Sequence, residues 1–182
     1  MKTFIFVAAF LLQIEKGGFE GNSYKDCGKL RQRFGRSAGL TTTTGQHPWA
    51  VAILKLNRFN KTLLHCSGSL IHPRYVITAA HCFDRRNPRN LNKDKMTLAF
   101  GLNDIKHLGT PNLLKVIGVK IRNITEVLQF PDYNYPSAYS DVALVKLSKP
   151  VPLGPSIWPI CLPDSENEDK DHLMGSSAIV TG

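Results

Sequence analysis

The sequence is informative first for what it does not contain. No apolar run reaches the ~20 residues that a membrane-spanning helix needs; the apolar stretch at residues 4–12 falls well short. Neither a Cys-x-x-Cys pair nor a His-Glu-x-x-His motif occurs, which leaves a zinc site with little support. No helical stripe of convincing length and no internal repeat is present. Acid is scarce: 14 Asp and Glu stand against 23 Lys and Arg, for a formal net charge of +9, and the acids gather at residues 164–171. With 42% hydrophobic residues in a chain of 182, disorder is excluded, and one domain, or one and a fraction, with a real core is expected.

What is present points outside the cell. Met1-Lys2 supplies a short positive start, the run at 4–12 is an apolar core, and Gly21-Asn22-Ser23 holds the nearest small residues. Residues 1–23 therefore read as a secretory signal, with a buried N-terminal strand as the competing reading. Residues 24–40 are polar, basic and Gly-rich, and read as a propeptide-like segment. The four cysteines, Cys27, Cys66, Cys82 and Cys161, form an even set behind a signal, which suggests two disulfides among three pairings. Asn60-Lys61-Thr62 and Asn123-Ile124-Thr125 are glycosylation triplets suited to surface loops, although such triplets also arise by chance. A secreted, extracellular location follows, and nucleic acid is not an expected partner. The cluster Arg85, Arg86, Arg89, Lys93 and Lys95 suits a polyanion such as heparin, with a basic surface loop as the simpler reading.

From Pro48 onward, short β-type runs alternate with turn signals, at residues 49–56, 63–71, 75–79, 95–100, 114–128 and 141–147. The two-residue period puts Met96, Leu98 and Phe100 on one face. It also separates Val142 and Leu144 from Ala143, Val145 and Leu147. An all-β barrel or sandwich is the expected class. No motif calls for a cofactor or a metal. Asp84, Asp94 and Asn103-Asp104 lie in loops without a calcium-ligand spacing.

Two blocks carry the chemistry: Thr78-Ala79-Ala80-His81-Cys82, and Ser140-Asp141-Val142-Ala143-Leu144-Val145-Lys146-Leu147. Taken with His47-Pro48-Trp49, Cys66-Ser67-Gly68-Ser69-Leu70-Ile71 and Pro159-Ile160-Cys161-Leu162-Pro163, they resemble the trypsin-like serine proteases over residues 27–182. The resemblance implies a six-stranded antiparallel barrel, the first of the chymotrypsin-type double barrel, with the second barrel missing. Residues 41–182 would be a truncated protease domain, 153–171 the connection between barrels, and 178–182 the opening strand of the second. It also implies the pairings Cys66–Cys82 and Cys27–Cys161.

The chemistry implied is peptide-bond hydrolysis. A serine hydroxyl needs a base within hydrogen-bond reach, and imidazole titrates near neutrality. His81 would be that base, and Asp141 the carboxylate that fixes its tautomer and steadies its cation. The plainer readings are a structural histidine beside a disulfide and an aspartate capping a turn.

The third member of the set is the serine of Gly-Asp-Ser-Gly-Gly, expected roughly 90 residues after the aspartate. That motif does not occur in these residues, and Ser176 and Ser177 come too early and in the wrong setting. The family's activation cleavage precedes Ile-Val-Gly-Gly, whereas the matching positions here read Arg36-Ser37-Ala38-Gly39. Arg36 is the expected processing site, but a freed Ser37 would fill an apolar pocket poorly. The expectation is a secreted serine endopeptidase present as a fragment without its nucleophile, so inactive as it stands. Its partners would be protein or peptide substrates and serine protease inhibitors. The alternative is a non-catalytic homologue acting as a binding or regulatory module in a proteolytic cascade.

Overall fold

The computed structural model describes residues 25–28, 47–59, 61–84, 86, 96–102, 118–135 and 137–162. Six strands run through them: β1 Ala50–Leu56, β2 Thr62–His72, β3 Tyr75–Thr78, β4 Met96–Phe100, β5 Lys120–Gln129 and β6 Ala143–Leu147. Each pairs antiparallel with two others, and together they close a barrel in the order β1-β2-β3-β6-β5-β4. The expected all-β, six-stranded antiparallel barrel is what forms. Closure leaves none of these strands with an unpaired edge, which removes the usual hazard of edge-to-edge association.

Alternation along the strands decides what lies inside. Met96, Leu98 and Phe100 enter the barrel core together with Ile53, Val145 and Leu147. Leu144 points the other way, into an outer cluster with Ile71, Tyr75 and Phe130, and Val142 packs against that cluster. Both faces of β6 are therefore covered, which is why its sequence is apolar almost without a break. Each fully buried aliphatic or aromatic side chain of this kind contributes about 1.5–3 kcal/mol.

Bulges let consecutive apolar residues serve two clusters. A register shift falls between Ile53 and Leu54. Ile53 then faces the barrel interior, while Leu54 joins Ala99 and Val119 outside it. Another shift at the end of β2 accompanies the same division between Leu70 and Ile71. The β1–β2 hairpin is tied at its tip by Asn57, whose side-chain oxygen accepts from the Phe59 and Lys61 amides, both at 2.9 Å.

The segment after β6 lies along the barrel wall. Val151 N–H donates to Pro73 O, Trp158 N–H to Pro48 O and Ile160 N–H to Leu70 O. A short N-terminal piece is fastened to it. Gly28 N–H donates to Pro159 O at 2.8 Å, the Trp158 indole donates to Asp26 O, and Cys27 is disulfide-bonded to Cys161.

Two strands differ from their expected bounds by more than one residue. In the run at 114–128, residues 114–117 lie outside the described residues, and the described part pairs from Lys120, after Gly118 at φ 90 turns the chain. The run at 141–147 starts at Ala143, because Asp141 belongs to the preceding turn. The signal at 1–23, Arg36, Asn60, Arg85, Arg89, Lys93, Lys95, the acidic run and residues 178–182 lie outside the described residues.

Candidate active site

β3 hands His81 to the surface. After Thr78 the chain passes through extended Ala79 into a single 3-10 turn, Ala80–Phe83. So short a turn has little stability of its own, and tertiary bonds hold it. Thr78 Oγ1 donates to Ser67 O at 2.6 Å. His65 Nε2 donates to Cys82 O at 2.9 Å. Gln129 Nε2 donates to Ala80 O at 3.0 Å. Cys82, only 2% exposed, is disulfide-bonded to Cys66 on β2. Both disulfides join the pairs that the family resemblance implied.

Asp141 reaches the same place from just before the neighbouring strand, β6, whose first residue Ala143 pairs with Thr78 at the end of β3. Ala138 and Ser140 both adopt left-handed backbone, at φ 55 and φ 54. Non-glycine residues hold such conformations at a cost of about 1–3 kcal/mol each, so the surroundings must enforce them. Val142 N–H then donates to Ser140 O at 2.8 Å, a tight turn centred on Asp141. The result aims the carboxylate out of the strand and at the histidine.

One histidine engages both carboxylate oxygens. The backbone N–H of His81 donates to Asp141 Oδ1 at 2.8 Å, and Nδ1 lies 2.7 Å from Oδ2. An ionised carboxylate only accepts, so Nδ1 carries the proton and Nε2 keeps its lone pair. Nε2 faces Cys82 Sγ at 3.7 Å, and the His81 side chain is 52% exposed. Burial pushes the Asp141 carboxyl up, but the hydrogen bonds from the His81 ring and backbone outweigh it and hold it below the usual carboxylate range. The arrangement is a base with a fixed tautomer, a half-exposed ring and a counter-charge for its cationic form.

A metal is a poor fit for these residues. Cys66, His81 and Cys82 offer ligand atoms within 4.8 Å of one another. The two sulfurs are joined as a disulfide, however, so neither is a thiolate able to ligate.

Beside the pair lies a cluster that the sequence pattern did not disclose. Asp84 is 3% exposed and accepts from the Arg86 amide at 2.8 Å, from Nε at 3.1 and 3.2 Å and from Nη2 at 2.8 Å. Those bonds to Arg86 hold Asp84 below its usual range despite burial. The Arg86 guanidinium lies 5.8 Å from the Tyr133 ring centre and 5.4 Å from that of Tyr135. The Tyr133 hydroxyl is buried beside Asp84, outside direct hydrogen-bond geometry. Burial and then the Asp84 charge push it up to about 12. The only sequence signal was the Asp-x-Arg spacing, masked by the surrounding basic residues.

An antiparallel six-stranded barrel presenting a histidine–aspartate pair at its mouth is the geometry of a serine-protease half-site. The Trypsin family profile matches residues 37–182, and the chain belongs to that family. It is 33% identical over 144 residues to vitamin K-dependent protein C of Rattus norvegicus, covering 79% of this chain and 27% of that protein. It is 30% identical to serine proteinase stubble of Drosophila melanogaster, covering 79% of this chain and 17% of that one. The Drosophila Grass clip serine protease of the Toll pathway superposes with a TM-score of 0.61 at 26% identity, over 78% of this chain and 39% of that chain. The chain thus spans well under half the length of these relatives.

Proposed function

We propose that this chain is the first-barrel portion of a secreted trypsin-like serine endopeptidase. In peptide-bond hydrolysis His81 takes the proton of an attacking serine hydroxyl and returns it to the leaving amine. Asp141 holds Nδ1–H and offsets the imidazolium charge. The observation that carries this reading is the grip of both Asp141 oxygens on one histidine whose ring is half exposed. Protein or peptide substrates and serine protease inhibitors are the proposed partners. The serine is not among these 182 residues, so this polypeptide alone is proposed to be inactive.

The organisation proposed with it is a signal at 1–23, a propeptide-like segment at 24–40 cut at Arg36, and a protease domain from 41. Two disulfides support an oxidising, extracellular compartment. Asn123 is exposed on β5, which supports glycosylation there, and Asn60 is its proposed companion. Arg86 is engaged with Asp84, so a polyanion contact would fall to Arg85 and Arg89 instead.

The competing reading, a non-catalytic homologue with a regulatory role, is favoured by Arg36-Ser37-Ala38-Gly39, which lacks the apolar start of the family's activation site. The transcript beyond Gly182 separates the two. An in-frame Gly-Asp-Ser-Gly-Gly supports the endopeptidase, and a stop codon leaves only the homologue. The 182-residue chain is expected to resist labelling by a fluorophosphonate probe; stoichiometric labelling would refute the missing nucleophile.

A further inference from the structure

We propose that Arg86 is a positioning residue for the His81–Asp141 pair, a strut joining the turn that carries the histidine to the loop that leads to the aspartate. The proposal rests on the endopeptidase reading of that pair and adds a residue to it.

Arg86 contacts both segments. On the histidine side it saturates Asp84 with its amide, Nε and Nη2. Asp84 directly follows the 3-10 turn, and its own N–H donates to His81 O at 3.4 Å. On the aspartate side the same guanidinium lies against Tyr133 and Tyr135, both within the ~6 Å at which a cation and a ring attract.

The tyrosine loop is a unit that moves with Asp141. Phe130 N–H donates to Val142 O at 2.9 Å and closes its base. Tyr133 N–H donates to Phe130 O, and Asn134 pairs with Tyr139 across it. Phe130 is 5% exposed and anchored in the outer cluster. A displacement of Tyr133 and Tyr135 is therefore transmitted to Ser140 and Asp141. The Tyr133 hydroxyl also lies beside Asp84, and the planar guanidinium adds a charged link between the two segments through this cluster.

The chemistry of arginine suits this task. A flat fork satisfies one carboxylate edge-on while its faces stay free to stack on rings. Lysine keeps the charge but offers no plane. The sequence context alone, a run of basic residues, gives Arg86 the look of a solvent-facing charge.

The test uses the full 182-residue chain. The strongly downfield Nδ1 proton of His81, hydrogen-bonded to a carboxylate, is followed by proton NMR, and its exchange with water is measured. Arg86→Gln is expected to speed that exchange roughly tenfold, the size of losing a charge-assisted bond with allowance for solvent exposure. Arg86→Lys is expected not to restore it. Tyr135→Ala, which leaves the Asp84 bonds intact, is expected to act like Arg86→Gln. The double variant should add little to either single one.

A merely stabilising role would lower the urea midpoint and leave the exchange of the folded molecule unchanged; that result overturns the strut. Should Arg86→Gln not fold, Tyr135→Ala alone decides the matter by the same readout. Absence of the downfield proton in the parent chain overturns the His81–Asp141 reading itself, and the strut with it.

Discussion

Substitution of Gly68 by alanine offers a sharp test of how the barrel positions His81. Gly68 sits on β2, opposite Val51 of β1 and Thr78 of β3. A Cβ placed there would lie 2.7 Å from Ile77 O, 2.9 Å from Val76 Cγ1 and 3.2 Å from Thr78 Cβ. The nearest of these atoms is a backbone carbonyl, which cannot rotate aside as a side chain does. Relief requires β2 and β3 to part by several tenths of an ångström, at an overpacking cost of about 1–3 kcal/mol. Because backbone must yield, the upper end applies, which lowers the melting temperature by roughly 5–12 °C. The shift also travels. β3 runs straight into Ala79 and the turn bearing His81, and Thr78 ties that junction to Ser67. Thermal and urea unfolding by circular dichroism, with both disulfides intact, measures the first effect. Proton NMR of the His81–Asp141 bond measures the second. A melting point within about 2 °C of the parent, with the histidine proton unaltered, would refute the reasoning.

Three other outcomes are expected. Asp141→Asn keeps an acceptor for the His81 amide but turns an amide N–H toward Nδ1, so the ring proton moves to Nε2 and about 1–3 kcal/mol of stability is lost; nitrogen-15 NMR reads the tautomer, and an unchanged one counts against the pair. Removing the Cys66–Cys82 bridge, which spans 16 residues, by a double alanine substitution should cost about 3 kcal/mol through the freed unfolded chain; an unmoved urea midpoint would contradict this. Asp84 and Asp141 are both held below their ordinary range when folded. Their contributions are therefore complete above a pH of about 4 and decline as pH falls through the depressed values. Urea midpoints taken across that interval should drop, and a double Asp84→Asn, Asp141→Asn variant should flatten the curve; a flat parent curve speaks against it.

Much of the barrel was legible because its strands bury one or both faces. Met96, Leu98 and Phe100 alternate with residues on the other face, and the interior they enter needs that period. The bounds that slipped did so where backbone conformation, not hydrophobicity, decides. Gly118 turns the chain before Lys120, and left-handed Ser140 leaves Asp141 outside its strand. A four-residue 3-10 turn is too brief to impress a helical period, so the seat of His81 was invisible. The family blocks nevertheless marked His81 and Asp141, and the fold brings them into contact. The Asp84, Arg86, Tyr133 and Tyr135 cluster escaped because it joins segments almost fifty residues apart. Only the folded chain shows that this exposed arginine is engaged with Asp84 and the two rings.

The fastening of Cys27 to Cys161 has a practical consequence. Residues 29–46 join the short N-terminal piece to the barrel by main chain, while the sulfur bridge joins it a second time. A protease that nicks that stretch, at Arg36 for instance, severs one connection and leaves the other. The nicked molecule would migrate as a single band on a gel until thiol is added, and only then release its small fragment. Unreduced mass spectra of such material would show a gain of one water and no loss of sequence.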